Sequence, residues 1–415
     1  MKSIYYFYGG LMVLVGLFLA AHFAVVASPT TPFFDEKYYI VDARHIIAGD
    51  GTDRIEHPPL GKLIISSGIL IFGDNPFGWR IMPVLFGAAS IVLLYLICRR
   101  LNLGGRAAFF VTFLFALENL SFVQSGIAML DVFSVTFMLA SFYLYLRGNW
   151  LSSGVFIGLA GLAGLAKLTG FLALPIIALH WLLTNRRKVR RFALSLAAAP
   201  AAYLAVLPLL DWVIWGKFIN PVTETKTMLD VLSASTFANL PSEMLSRPWE
   251  WLTQIELITY WPEPHYLAML SPTLLLLWLP AAIYTVAKLR DKAPWALFAA
   301  VWFAGTYLLW IPATLITDRI SYIFYLYPAV PAIALFTGCA LLALESRLLR
   351  DRLVWRVKVG RWLITVVALI HLGLFIYLSP LPYWGKLVFG LAFYVLLRYY
   401  LNRADNEPLN TEVLT

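Results

Sequence analysis

The sequence predicts an all-α polytopic membrane protein. Of its 415 residues, 60% are hydrophobic and only 13% are charged. The apolar residues also gather into stretches close to the roughly 20 residues that a bilayer-spanning helix needs. So few charges cannot coat a large water-exposed surface. A soluble enzyme, a disordered chain and a disulfide-stapled secreted scaffold are set aside on that ground. The two cysteines, Cys98 and Cys339, sit in apolar stretches and read as small core residues. No Cys/His cluster has metal-ligand spacing.

Twelve candidate spans run at 5–27, 78–98, 107–123, 126–146, 151–166, 168–184, 192–214, 266–287, 294–315, 319–343, 361–379 and 384–401. They form a single domain over residues 1–415. We read the first as a retained signal anchor rather than a cleaved leader, because so many spans follow it. Gly154 and Gly158, followed by Gly161 and Gly164, read as close helix packing.

Basic residues orient the spans. With a cytoplasmic N-terminus, about two-thirds of the 32 Lys and Arg residues fall in cytoplasmic segments. Arg99, Arg100 and Arg106, the run from Arg186 to Arg191, and the run from Arg347 to Arg361 dominate that count. The +9 net charge is therefore a topology signal and gives no reason to invoke nucleic acid. Most of the 23 acidic residues lie on the other side, where they are not needed for insertion. Two longer loops, 28–77 and 215–265, face that side too. Together they predict an exoplasmic working surface.

The first outer loop carries Asp35-Glu36 just beyond the first span, within reach of a lipid headgroup. A general base must come within hydrogen-bond range of the proton it takes. Asp35 could equally cap the helix that follows. His57-Pro58-Pro59-Leu60-Gly61-Lys62 comes next, its prolines fixing the backbone. The amphipathic run Leu60–Gly73 reads as lying along the outer membrane face, with Lys62 a snorkelling residue.

Asp35-Glu36, the HPPLGK string and Phe77-Gly78-Trp79-Arg80-Ile81-Met82-Pro83 resemble the protein O-mannosyltransferases. These are polytopic glycosyltransferases of the C-type fold that use lipid-phosphate sugars. Glu118, Asn119, Gln124, Ser125, Leu130 and Asp131 continue the resemblance, with Glu118 in place of the family's Asp. Gly126 stands where the family carries an arginine thought to meet the donor phosphate. Lys167 follows a Gly-Leu-Ala stretch and opens a Lys-x-x-Gly, which resembles the family's pattern. Arg319 precedes an aromatic run ending at Pro328 and Pro331. Ser246-Arg247-Pro248-Trp249-Glu250-Trp251 resembles the family's Ser-x-Pro-Trp-x-Trp, its tryptophans reading as interface anchors.

The resemblance implies transfer of a sugar, mannose in the family, from a polyprenyl-phosphate donor to Ser or Thr hydroxyls of exported proteins, with inversion. Asp35 is the expected base and Glu36 orients it or the acceptor. Lys167 and Arg319 are the expected partners of the donor phosphate, since cations there stabilise the departing charge. His57, Glu118, Asn119, Gln124 and Asp131 support them. No cofactor or metal is required, though acidic outer loops could bind a divalent ion. The expected setting is the plasma membrane of a prokaryote with an exoplasmic active site. Two other readings stand beside this one: a same-fold transferase acting on a lipid or glycan, and a transporter or flippase of lipid-linked sugar, which intramembrane charges would also suit.

Overall fold

A computed structural model describes residues 2–148, 159–184, 189–239, 244–350 and 354–403. Gly154, Gly158 and the start of the expected span at 151–166 lie outside them. The chain enters through α1 (Lys2–Phe23). Two short helices follow, α2 (Glu36–Ala48) and α3 (Leu60–Phe72), and then α4 (Pro76–Arg100). Next come α5 (Gly105–Ala116), α6 (Asn119–Ser125), α7 (Asp131–Arg147), a helical stretch at 159–166, a 3-10 turn at Leu168–Leu172, α8 (Ala173–Thr184), α9 (Val189–Trp215) and α10 (Pro221–Ala234). The last part holds α11 (Pro272–Leu289), α12 (Pro294–Phe303), α13 (Trp310–Thr317), α14 (Val330–Arg350), α15 (Val354–Leu378) and α16 (Tyr383–Arg403). A two-stranded antiparallel hairpin, β1 (Ile258–Trp261) with β2 (Tyr266–Ala268), interrupts the helices.

Local chemistry explains several boundaries. Asn75 caps α4, its side chain accepting from Gly78 N at 3.1 Å, and Pro76 fills the first helical position where no N–H is needed. The stretch expected to span at 107–123 is broken. Glu118 leaves helical geometry, its carboxylate accepts from Ser121 N at 2.7 Å, and α6 departs from α5 at 66°. The span expected from 266 starts instead at Pro272, because Tyr266–Ala268 pairs with β1.

By length and composition, five helical runs among the described residues can cross a membrane, or six if the bent α5–α6 pair is one span. Several others expected to span, such as Phe7–Phe23, Leu168–Thr184 and Trp362–Leu378, are apolar but shorter.

The core is built around α14, which packs against α5, α11, α12 and α15. The apolar window of the run Ile323–Leu349 is 94% buried, whereas that of Phe192–Trp215 is 17% buried. The latter turns Leu194, Leu209, Trp212 and Val213 outward, as a lipid-facing rim helix does. Gly161 lies against this helix: a Cβ there would stand 2.9 Å from the Ala199 carbonyl.

The bundle has two unlike ends. Helices α4, α7 and α11 begin among the acidic and polar residues described below and finish at Arg99 and Arg100, at Arg147 and at Lys288. At the basic end Arg106 grips Glu345 through two hydrogen bonds of 2.7 and 3.0 Å, joining α14 to the start of α5.

Candidate active site

The acidic pair divides into two different environments. Asp35 occupies the N-cap position of α2, but its side chain makes no capping bond, and among the described residues none donates to its carboxylate. It is half-buried. Burial pushes its carboxyl above the ordinary 3.8, while the Lys167 charge, the strongest opposing influence, pulls it back. Phe34, immediately before it, takes a left-handed φ of 49° and stacks on Tyr260 with ring centroids 3.9 Å apart. A backbone conformation costly for a non-glycine residue is thus fixed by aromatic packing, next to the free carboxylate.

Glu36 is fully buried and fully engaged. Arg80 Nη2 donates to its Oε1 at 2.6 Å and Arg80 Nε to its Oε2 at 3.1 Å. The backbone N–H groups of Phe33 and Ala128 complete its shell at 3.3 and 3.1 Å. Arg80 also donates to the carbonyls of Val26 and Pro29, both at 2.9 Å. This one pair ties the exit of α1, the start of α2, the first turn of α4 and the segment before α7 into a unit.

Lys167 and Asp131 meet behind Asp35. Lys167 Nζ donates to Asp131 Oδ1 at 2.7 Å, and both residues are nearly out of solvent. Asp131 opens α7, and Lys167 sits in extended conformation at the break before the Leu168–Leu172 turn. The break frees the lysine from the helix and aims it at the site. Its ammonium also lies 5.0 Å from the Tyr325 ring centroid and 5.4 Å from that of Phe324. Asp131 Oδ2 has no hydrogen-bond partner among the described residues.

A cavity of about 500 Å³ opens from this point. Lys167, His57, Arg319 and Tyr325 line it together with apolar residues such as Phe171, Leu172, Leu229, Leu232 and Trp310. Arg319 is half-buried and donates to the Leu232 carbonyl, which leans its guanidinium toward α10. An apolar trough with cations among its lining residues is matched to an amphiphile with an anionic head. Burial, and then the charges of Lys167, Lys62 and Arg319, hold the His57 imidazole well below its ordinary value, so it is neutral at physiological pH.

The HPPLGK string is a brace. Lys62 does not snorkel. It is 1% exposed, donates to Thr52 Oγ1 and the Arg54 carbonyl at 2.7 Å each, and lies 3.4 Å from Asp42 Oδ2. A buried ammonium is tolerable only with such partners, and they lock the loop between α2 and α3.

Glu118, Asn119 and Gln124 gather one layer away. Glu118 accepts from Ser271 N at 2.8 Å as well as from Ser121 N. Asn119 N donates to Ser271 Oγ at 2.8 Å, and its side-chain amide donates to the Leu267 carbonyl. Gln124 Nε2 donates to Tyr260 Oη at 3.0 Å, which steadies the ring under Phe34. Gly126 is buried, and a Cβ there would stand 3.4 Å from the His22 ring. Trp251 is no interface anchor. It is wholly buried and donates to Ser246 Oγ at 3.0 Å. Among the described residues, no group of three or more His, Cys, Asp or Glu side chains converges as a metal centre requires. Sequence reasoning left Arg80, Tyr260 and Asp42 without roles. Arg80 had one usable signal: an arginine in the first turn of an apolar helix needs a buried partner.

Comparison with known proteins agrees with this architecture. Residues 56–215 match a family model described as dolichyl-phosphate-mannose-protein mannosyltransferase. A polyprenol-phosphate-mannose–protein mannosyltransferase of Mycolicibacterium smegmatis is 34% identical over 139 residues, covering 31% of this chain and 27% of that protein. The chain thus matches only about a quarter of that relative's length. The Corynebacterium glutamicum protein of the same name is 26% identical over 410 residues, covering 75% and 78%. An undecaprenyl phosphate-alpha-4-amino-4-deoxy-L-arabinose arabinosyl transferase of Pseudomonas aeruginosa is 33% identical over 192 residues, covering 42% and 35%. The Saccharomyces cerevisiae Pmt1-Pmt2 protein O-mannosyltransferase, solved with its sugar donor, superposes with a TM-score of 0.74 at 11% identity, over 92% of this chain and 90% of that one. This integral membrane chain has the fold of the C-type membrane glycosyltransferases, and its residues 56–215 match the dolichyl-phosphate-mannose-protein mannosyltransferase family model.

Proposed function

We propose that this chain transfers a sugar, mannose by kinship, from a polyprenyl-phosphate donor to Ser or Thr hydroxyls of exported proteins at the outer face of a prokaryotic plasma membrane. The observation that carries this reading is the uncapped Asp35 carboxylate under the charge of the buried Asp131–Lys167 pair, whose lysine lines an apolar cavity together with Arg319 and His57. The lipid tail occupies the apolar trough, and its phosphate meets Lys167 and Arg319. The acceptor hydroxyl approaches Asp35, which takes its proton as the hydroxyl oxygen attacks the anomeric carbon. The bond from that carbon to the phosphate oxygen breaks, and the electron pair leaves on the lipid phosphate. Lys167 and Arg319 stabilise that charge as it develops. Single displacement inverts the anomeric centre.

The remaining residues position this machinery. Glu36, saturated by Arg80 and two backbone N–H groups, holds the backbone that presents Asp35. Asp131 fixes the Lys167 ammonium, and Lys62 fixes the loop that carries His57. A second reading keeps every step and changes the sugar, as the resemblance to the Pseudomonas aeruginosa arabinosyl transferase favours. Mass spectrometry of exported proteins from cells with the gene, without it, and with Asp35→Asn tests both. Hexose on Ser or Thr only in the first culture supports the proposal. Identical profiles in all three would defeat it.

A further inference from the structure

A second cavity, of about 250 Å³, adjoins the first, and His57 lines both. The lining of the second is also largely apolar, but it includes Asp211, Glu224, Lys62, Thr227 and the Trp215 indole. Asp211 is 1% exposed on a helix most of whose apolar window is not buried. Its Oδ2, and Oε2 of Glu224, are buried with no hydrogen-bond partner among the described residues, and the two residues line the cavity together. Burial first, then the neighbouring Asp211 carboxyl, push the Glu224 carboxyl up to about 8. Two unpartnered carboxyl oxygens offer acceptors on one cavity wall, which is what neighbouring sugar hydroxyls need as donors.

The indole wall is built with equal care. Gly51 has a φ of +90°, and a Cβ on it would stand 1.9 Å from the Trp215 ring, so the ring lies flat on bare backbone. An aromatic face, two unpartnered carboxyl oxygens and a buried ammonium make a lining suited to a polyhydroxylated ring.

We propose that this second cavity is a pyranose subsite, taking the sugar of the lipid-linked donor while the first cavity takes its tail and phosphate, with Asp211 and Glu224 reading the sugar hydroxyls. The proposal rests on the transferase reading above. His57, neutral and shared by both cavities, marks the point where sugar joins phosphate. A site built to hydrogen-bond hydroxyls discriminates strongly against analogues that lack them, so this pair also sets which sugar is accepted.

Equilibrium binding of polyprenyl-phosphate-mannose and of sugar-free polyprenyl phosphate to the purified chain in nanodiscs tests it. Wild type should prefer the mannosylated lipid. Asp211→Asn and Glu224→Gln should weaken binding of the mannosylated lipid roughly tenfold or more, the loss of one hydrogen bond to a charged group. Affinity for the sugar-free lipid should stay within about twofold, since no contact to the phosphate is lost. Gly51→Ala, which displaces Trp215, and Thr227→Val at the rim should show the same selective loss and serve where Asp211→Asn does not fold. Equal weakening of both lipids, no weakening of either, or a wild type indifferent to the sugar would overturn the subsite. A wild type that prefers the mannosylated lipid yet transfers nothing would instead overturn the proposed reaction and leave the subsite standing.

Discussion

Removing one partner of the Glu36–Arg80 pair is the perturbation whose size the structure sets most clearly. Both side chains have zero exposure, the contact is two-pronged, and Arg80 also serves the carbonyls of Val26 and Pro29. Arg80→Met deletes the cation and leaves Glu36 as a buried charge with only two backbone N–H donors. Breaking a buried pair in this way costs about 3–5 kcal/mol, roughly two to nearly four orders of magnitude in the folding equilibrium. Removing the orphaned charge as well, in Glu36→Gln with Arg80→Met, should recover part of that loss, because two polar or apolar groups of similar shape need no ion pair. Denaturant unfolding in detergent, followed by tryptophan fluorescence, measures the single and double variants. A loss below about 1 kcal/mol for Arg80→Met, or a double variant no more stable than the single, would refute the argument. Activity of the double variant then separates two roles for Glu36. A positioning residue predicts that transfer returns with stability, and a residue touching the reactants predicts that it does not.

Three further outcomes follow from the site. Asp35 must be ionised to act, and burial raises its pKa above 3.8, so kcat/KM should fall as pH drops through that raised value; Lys167→Gln removes the strongest lowering charge and should move this acid limb to higher pH. Arg319→Lys keeps a charge but loses the paired hydrogen-bond geometry, and should raise the donor KM by roughly tenfold with smaller change in kcat, read from initial rates at varied lipid donor. Cysteine introduced at Thr52 should react with an impermeant maleimide from outside intact cells, and cysteine at Lys292, an exposed turn after α11, only after permeabilisation; the reverse pattern would put the candidate site on the cytoplasmic face.

The sequence made short-range features legible and left long-range ones hidden. Asp35-Glu36 and HPPLGK could be seen because their residues are neighbours in the chain. The division of labour within the pair could not, since Glu36 finds Arg80 44 positions away. Lys62 and Trp251 misled for a shared reason: a long amphipathic side chain at an outer loop is as well suited to a buried pocket as to a lipid interface. Hydropathy located helices but could not rank them. Ile323–Leu349 and Phe192–Trp215 are about equally apolar, yet one is the centre of the bundle and the other its rim. The bend at Glu118 depended on a capping bond and on Ser271, 153 residues away, which periodicity does not register. The second cavity was equally hidden, because Asp211 reads in sequence as one polar residue near the end of an apolar helix.

The central claim is that Asp35 removes the proton from an acceptor hydroxyl while Lys167 and Arg319 hold the departing lipid phosphate. The most direct measurement is single-turnover transfer of radiolabelled mannose from polyprenyl-phosphate-mannose to a Ser/Thr-rich peptide by purified chain in proteoliposomes, comparing wild type with Asp35→Asn. The account predicts α-linked mannose on the peptide from a β-linked donor. It predicts a fall of about 10²–10⁴-fold in the rate for Asp35→Asn, with donor binding retained. Transfer by Asp35→Asn within a factor of about two of wild type, or retention of the donor's anomeric configuration in the product, would contradict it.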